Sequence, residues 1–423
     1  MPVAVPVRVR YRSERVSAAS RVFLYGSPAH SDLSWAGTPA GGHASGPQDH
    51  PYALPDDDGL ERVDDETWAT TVTLADGCPG LAVRVAFVDP EGGGRTYSVG
   101  ANLFVAADPA GVTLFPSFFA RRGESHVLPH VPSPQLADLG GPEDGWKAGR
   151  EITVFLPPSY SENHAKSYAD ILVLHDGQKF ADETWALTLD ALVLSGAIDE
   201  LVVVCVPSPP NGDQRMAELT PLDGDGRRMP ELLAALASRE VAEPEAGERP
   251  PPGFFGHLDA YLDYLVDSVL PAVQAEFPRV VGGGRVGTAG SSMGGLGALG
   301  AVLTRREVFN RGLCCAPSLW WGMNSTLREL VPAALEAGLA TDPGTKLWLD
   351  TGSGEHQQGM IDTTAAVAER LAEAGMPPDR LRFHLDEGGF HDFNGFWRRL
   401  GEALPFLFAP AAVQQQLVGA SRL

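Results

Sequence analysis

The hydrophobic pattern changes character about a quarter of the way along the chain. Up to residue 108 the apolar positions fall in short runs, VAVPVRVRY, RVFLYGS, TWATTVTL, LAVRVAFVD and YSVGANLFVA, separated by Gly, Pro and Asp. Runs rich in β-branched and aromatic residues between turn formers predict strands. Tyr11, Val22, Phe23, Trp68, Val72, Val83, Val85 and Phe87 are the expected inward face. Strands of this kind, five or more, predict a small β-sandwich over 1–108. Within it, 36–65 is rich in Gly, Pro, His and Asp and reads as a long loop. Residues 109–149 carry many Pro and Gly and read as an extended linker.

From residue 150 the rhythm alternates. REITVFLPP, ADILVLHDG, ELVVVCVPS, VGTAGSS, RGLCCAPS, TKLWLDTGS and LRFHLDEGG read as strands, several of them apolar throughout. Between them, TWALTLDALVLSGAI, HLDAYLDYLVDSVLPAVQAEF, MGGLGALGAVLTRR, TTAAVAERLAEAG and FNGFWRRLGEALPFLF have apolar residues at helical spacing. Apolar strands alternating with such helices predict an α/β unit, its mostly parallel sheet covered on both faces, over 150–412. Residues 413–423 remain as a tail. One stretch breaks the alternation: 221–256 has acidic and Pro-rich flanks and reads as an insertion beside the site, either a lid or a surface loop.

Composition narrows the function. The 423 residues include 32 Lys and Arg against 54 Asp and Glu, a formal charge of −22. That balance argues against nucleic acid and anionic membrane surfaces as partners. No apolar stretch approaches the roughly 18 residues of a membrane span. Arg8, Arg10, Arg12, Glu14 and Arg15 interrupt the first residues, so no signal-peptide core is visible and a cytoplasmic location is expected. Cys78, Cys205, Cys314 and Cys315 lack metal-site spacing, and no metal or organic cofactor is implied.

The chemistry sits in GTAGSSMGGLGALG, which contains G-x-S-x-G as Gly290-Ser291-Ser292-Met293-Gly294. An apolar strand ends at the motif and a small-residue helix starts after it. This is the pattern of a nucleophile elbow, with Ser292 as the nucleophile of an α/β-hydrolase. A serine hydroxyl needs a base and an orienting acid, which follow it in that fold. His391, after the last strand, is the expected base. Two carboxylates qualify as the acid: Glu355 in the loop after TKLWLDTGS, and Asp350 at the end of that strand as the alternative. Oxyanion donors are expected from the amide of Met293 and from Gly177 or Gln178 after LVLH.

Taken together, VFLPPSY, LVLHDGQKF, QRMAELTP, LPAVQAEFP, AGSSMGGLGAL, APSLWWG, LDTGSGEH and GGFHDFNGFWRRL resemble the enterochelin (enterobactin) esterase family, within the wider esterase group that includes esterase D and feruloyl esterases. The resemblance spans most of 150–408. It implies an N-terminal immunoglobulin-like module, a Ser292–His391–Glu355 triad, and a substrate cup near Arg215, Glu218, Trp320 and Trp321. Arg215 and Glu218 also read as a local ion pair, and the tryptophans as core. The family cleaves trilactone siderophores and so frees iron, which implies a small-molecule ester, here an iron-siderophore, as partner. A ferric catecholate is anionic, against the chain's charge of −22, and a local cluster of Arg121, Arg122 and Arg215 would offset this; the sequence does not establish that they converge. Rival readings are a carbohydrate acyl or feruloyl esterase, an acyltransferase, and a non-catalytic binding protein on the same scaffold.

Overall fold

Runs such as ILVLH, VVVCV and RGLCC are apolar at every position, so they are stable only where both faces are covered. In the computed structural model each is a strand buried along its whole length. The structure describes residues 2–13, 21–28, 52–53, 59–74, 76, 80–88, 95–99, 103–118, 120, 122–136, 149–180, 184–210, 212–221, 256–319, 329–355 and 359–410.

In the N-terminal part the described residues form two sheets. The first contains β1 (Val3–Arg10), β3 (Tyr52–Ala53), β4 (Glu61–Arg62), β5 (Thr67–Leu74) and β9 (Val112–Leu114); the second contains β2 (Arg21–Pro28), β6 (Gly80–Val88), β7 (Arg95–Tyr97) and β8 (Leu103–Ala106). Val5, Val7, Val9, Trp68 and Val72 of the first share one core with Val22, Leu24, Val83, Val85 and Phe87 of the second. Phe23 is a correction. Strand alternation sends Val22 and Leu24 inward, so Phe23 must point to the other face. There it is half-buried under the Arg21 guanidinium, 5.1 Å from its ring centre.

The second part is built on an eight-stranded sheet in the order β10 (Glu124–Val131), β11 (Arg150–Leu156), β13 (Val202–Val206), β12 (Ile171–His175), β14 (Val286–Ser291), β15 (Arg311–Cys315), β16 (Lys346–Gly352) and β17 (Leu381–Asp386). From β13 to β17 all neighbours are parallel, whereas β10 and β11 run antiparallel. Alternate side chains feed two cores. Leu172, Leu174, Val203 and Cys205 pack with α1 (Thr184–Leu194) and the last helix (Phe393–Phe408). Val173, Val202, Val204 and Val206 face α2 (Gly212–Leu219) and the remaining helices. Among these, α3 (Leu258–Tyr264) passes through a π-helical turn at Leu265–Val269 into α4 (Leu270–Glu276). Pro271 has no N–H to continue the regular ladder, and Leu270 N–H instead reaches back to the Leu265 carbonyl. The others are α5 (Met293–Thr304), α6 (Val331–Glu336), α7 (Met360–Glu373) and, on the first face, α8 (Phe393–Phe408).

The segment read as a linker contains two strands. Val112–Leu114 pairs in parallel with β1, and Glu124–Val131 is the edge of the eight-stranded sheet. The latter hides its nature well: Pro129 and His130 lie at a register shift, and only Leu128 and Val131 are buried. Charged residues, a proline and a bulge are what an exposed edge tolerates. Of the expected insertion 221–256, residues 222–255 lie outside the described residues.

The two parts meet at the loop after β11. The Glu162 carboxylate accepts from Tyr11 Oη at 2.8 Å, Ser117 Oγ at 2.7 Å, and the amides of Phe118 and Ala120 at 2.6 Å each. Asn163 adds donations to the carbonyls of Arg10 and Pro116. Burial alone would raise the Glu162 pKa, but these four donors outweigh it and hold the carboxyl below its usual range. No described helix is long and apolar enough to cross a membrane.

Candidate active site

Ser292 occupies the turn between β14 and α5 with φ 62° and ψ −119°, a conformation that costs a non-glycine residue on the order of 1–3 kcal/mol. The glycines around it are steric necessities. A Cβ on Gly290 would lie 2.5 Å from the Gly294 backbone, and one on Gly295 would lie 2.7 Å from the Cys315 carbonyl. The spacing G-x-S-x-G thus lets strand, turn and helix close on one another. Ser292 caps the helix start, and Met293 opens the first turn, whose amides lack intrahelical acceptors. The Ser292 hydroxyl lies 3.1 Å from Ser318 Oγ.

Glu355 and His391 meet across the ends of β16 and β17. His391 Nδ1 is 2.7 Å from Glu355 Oε2. The Glu355 side chain is fully buried, while 28% of the His391 side chain is exposed. Two glycine loops make this approach possible. Gly354 N–H donates to the Gly389 carbonyl at 2.8 Å, Gly388 N–H donates to Ser353 Oγ at 2.8 Å, and a side chain on Gly352 would collide with Gly389. Asp392 turns away from His391 to cap α8, accepting from Gly395 N–H.

Asp350, the alternative acid, is placed elsewhere. It is completely buried, accepts from Trp348 Nε1 at 2.8 Å, and lies 3.3 Å from Arg399 Nη1. Burial pushes its carboxyl pKa upward despite that cation. Its position in the strand puts it on the same face as Trp348, against Arg399 of α8.

On the oxyanion side, Gly177 opens a 3₁₀ turn directly after β12, and a Cβ there would collide with the Cys205–Val206 backbone. The Gln178 side chain is locked to Ser208, donating to Oγ at 2.8 Å and accepting from its N–H at 2.9 Å. His175 is buried between Tyr261 Oη at 2.9 Å and Thr288 Oγ1 at 2.6 Å. Burial lowers its pKa to about 4, so it is neutral at physiological pH and enclosed, unsuited to the base role.

The expected Arg215–Glu218 pair does not form. Arg215 makes a bidentate bond to Asp176, 2.6 Å from Nε and 2.7 Å from Nη2, and Lys179 Nζ lies 3.8 Å from the same carboxylate. Glu218 is instead captured by Arg150. Burial would raise the Asp176 pKa, but the Arg215 guanidinium more than offsets it and holds the group ionised. Asp176, Arg215 and Lys179 thus form a charged cluster beside the Gly177 turn. Arg122 does not join it: the adjacent Gly123 donates to Asp190, at the end of the sheet away from Ser292. Arg121, Trp320 and Trp321 lie outside the described residues. Ser318 was missed by sequence reasoning, although it stands in the same APSLWWG motif as the tryptophans.

Comparison with known proteins sets the chain beside esterases. Residues 237–407 match the family described as Putative esterase. The chain is 36% identical over 132 residues to a siderophore triacetylfusarinine C esterase of Aspergillus fumigatus, covering 30% of this chain and 45% of that protein. It is 36% identical over 107 residues to a siderophore enterobactin esterase of Emericella nidulans, covering 25% and 35%. The chain thus spans less than half the length of these curated relatives. Among solved structures, the BES protein from Bacillus cereus is similar with a TM-score of 0.50 at 19% identity, covering 69% of this chain and 98% of that one. That likeness concerns the fold, which is α/β-hydrolase-like.

Proposed function

We propose that this enterochelin esterase-like chain, which carries a Putative esterase domain over residues 237–407, is a serine esterase acting on carboxylic esters. The observation that carries the reading is the buried Glu355 carboxylate 2.7 Å from His391 Nδ1, on the two loops that follow the strands beyond the Ser292 turn. With Nδ1 bound by the acid, the His391 Nε2 is left to take a proton from Ser292. Ser292 Oγ then attacks the ester carbonyl, and its electron pair moves to the carbonyl oxygen. The amides of Met293 and of Gly177 or Gln178 stabilise that oxyanion. Collapse expels the alcohol, which takes the proton from His391, and water repeats the sequence to release the acid.

The substrate proposed is a siderophore of trilactone type. The chain's similarity to siderophore esterases of Aspergillus fumigatus and Emericella nidulans supports it. The N-terminal sheets are read as an immunoglobulin-like β-sandwich. Its boundary with the catalytic unit falls between Leu114, the last residue of β9, and Glu124, the first of β10.

Hydrolysis of a panel tests the proposal: a ferric trilactone siderophore, its iron-free form, feruloyl and acetyl sugar esters, and p-nitrophenyl butyrate, each beside Ser292→Ala. Trilactone cleavage that disappears in the variant supports both chemistry and substrate. Cleavage of sugar esters alone keeps the serine and replaces the substrate. A Ser292→Ala protein as active as its parent removes the serine mechanism.

A further inference from the structure

The β14–α5 turn is held by the last residue of β15 and the loop after it, through the N–H, carbonyl and hydroxyl of Ser292. Ser292 N–H donates to the Cys315 carbonyl at 3.0 Å, its carbonyl accepts from Ser318 N–H at 3.0 Å, and its Oγ lies 3.1 Å from Ser318 Oγ. That loop is itself under constraint. Ala316 has φ 40°, rare for a residue with a Cβ, and its N–H is anchored on the Asp350 carbonyl at 2.8 Å. Ser318 is 1% exposed. Among the described residues its hydroxyl has one hydrogen-bond partner, the hydroxyl of Ser292.

We propose that Ser318 is a positioning residue for the nucleophile, donating its hydroxyl proton to Ser292 Oγ. This rests on the serine esterase reading. The chemistry gives the bond a direction. In the resting protein either hydroxyl can donate, but only donation from Ser318 leaves the Ser292 proton free to point at His391. As that proton leaves, Ser292 Oγ can only accept, and a hydrogen bond to an oxygen gaining charge strengthens. Once Oγ is part of an ester it is a poor acceptor, and the bond weakens again. An interaction strongest partway through the reaction raises kcat rather than binding. The Ser318 proton stays on Ser318 throughout. The strained Ala316 turn holds the donor in place, so the nucleophile is restricted to one rotamer before substrate arrives.

The test is Ser318→Ala beside Ser318→Thr, assayed on p-nitrophenyl butyrate and by the rate of phosphonylation with a fluorophosphonate probe. Thermal melts establish that both variants are folded. Ser318→Ala is expected to lower kcat and the labelling rate about 10- to 100-fold with KM unchanged. Ser318→Thr, which keeps a hydroxyl, is expected to recover most of the loss. Parental labelling by Ser318→Ala overturns the proposal while leaving the esterase reading intact. So does an equal loss in Ala and Thr variants, which would assign the effect to packing. If the parent protein itself is not labelled at Ser292, the esterase reading fails first and this one falls with it.

Discussion

Two buried glutamates at opposite ends of the eight-stranded sheet do different things with the same carboxylate. Glu162, where the N-terminal sheets meet the catalytic unit, is saturated by four donors, two of them main-chain amides. Glu355 has one described partner, the His391 ring, and its Oε1 is buried without a hydrogen bond among the described residues. Saturation fixes a carboxylate in a structural role, because any change of protonation breaks several bonds at once. A carboxylate committed to a single imidazole has its charge in reserve for the cation that forms when that imidazole takes a proton. The comparison teaches that burial alone does not mark a functional acid; the number and kind of its donors do.

The contrast can be broken most sharply at the site. Glu355→Gln should lower kcat on p-nitrophenyl butyrate by about 10²–10⁴, as expected for loss of an orienting acid, with little change in melting temperature. Asp350→Asn probes the neighbouring strand. It should leave kcat unchanged and cost no more than about 1–2 kcal/mol of unfolding free energy in urea, because burial already disfavours the ionised carboxyl and Arg399 keeps Asp386 at 3.8 Å. A large loss of kcat there, with Glu355→Gln active, would exchange the roles of the two acids. At the junction, Glu162→Gln should reverse the site's behaviour. Stability is expected to fall by about 2–3 kcal/mol while activity per folded molecule persists.

The most gradual effect concerns pH. The His175 pKa lies near 4 in the fold against 6.5 for a free side chain, so the unfolded chain binds more protons between those values. Stability is complete above 6.5 and is lost as pH falls toward 4; from pH 7 to 5 the loss should be about 2 kcal/mol. His175→Gln should flatten that interval in urea titrations. Glu162 adds a further loss below its unfolded value of 4.5, since its folded pKa is depressed.

Much of this was legible in the chain. Fully apolar strands and the glycine-flanked serine identify themselves, because their burial and close backbone contacts demand those residues. Glu355 and His391, expected as a pair from their places after the last two strands, lie 2.7 Å apart. Other features are set by distant partners. Glu218 lies one helical turn from Arg215, yet Arg150, 68 positions away, captures it, and Asp176 takes Arg215. Phe23 looked inward by composition and is turned by alternation. The Pro129 strand was hidden because an edge needs few apolar residues. Ser318 gave no sign, since a serine carries no mark of being buried against a nucleophile.

The most direct measurement is phosphonylation by a fluorophosphonate, with the modified residue located by peptide mass spectrometry and the rate compared among the parent protein, Glu355→Gln and Glu162→Gln. The account predicts a single adduct on Ser292, formed at the parental rate in Glu162→Gln and at least about 10²-fold more slowly in Glu355→Gln. An adduct on another residue, or equal rates for the parent protein and Glu355→Gln, would contradict it.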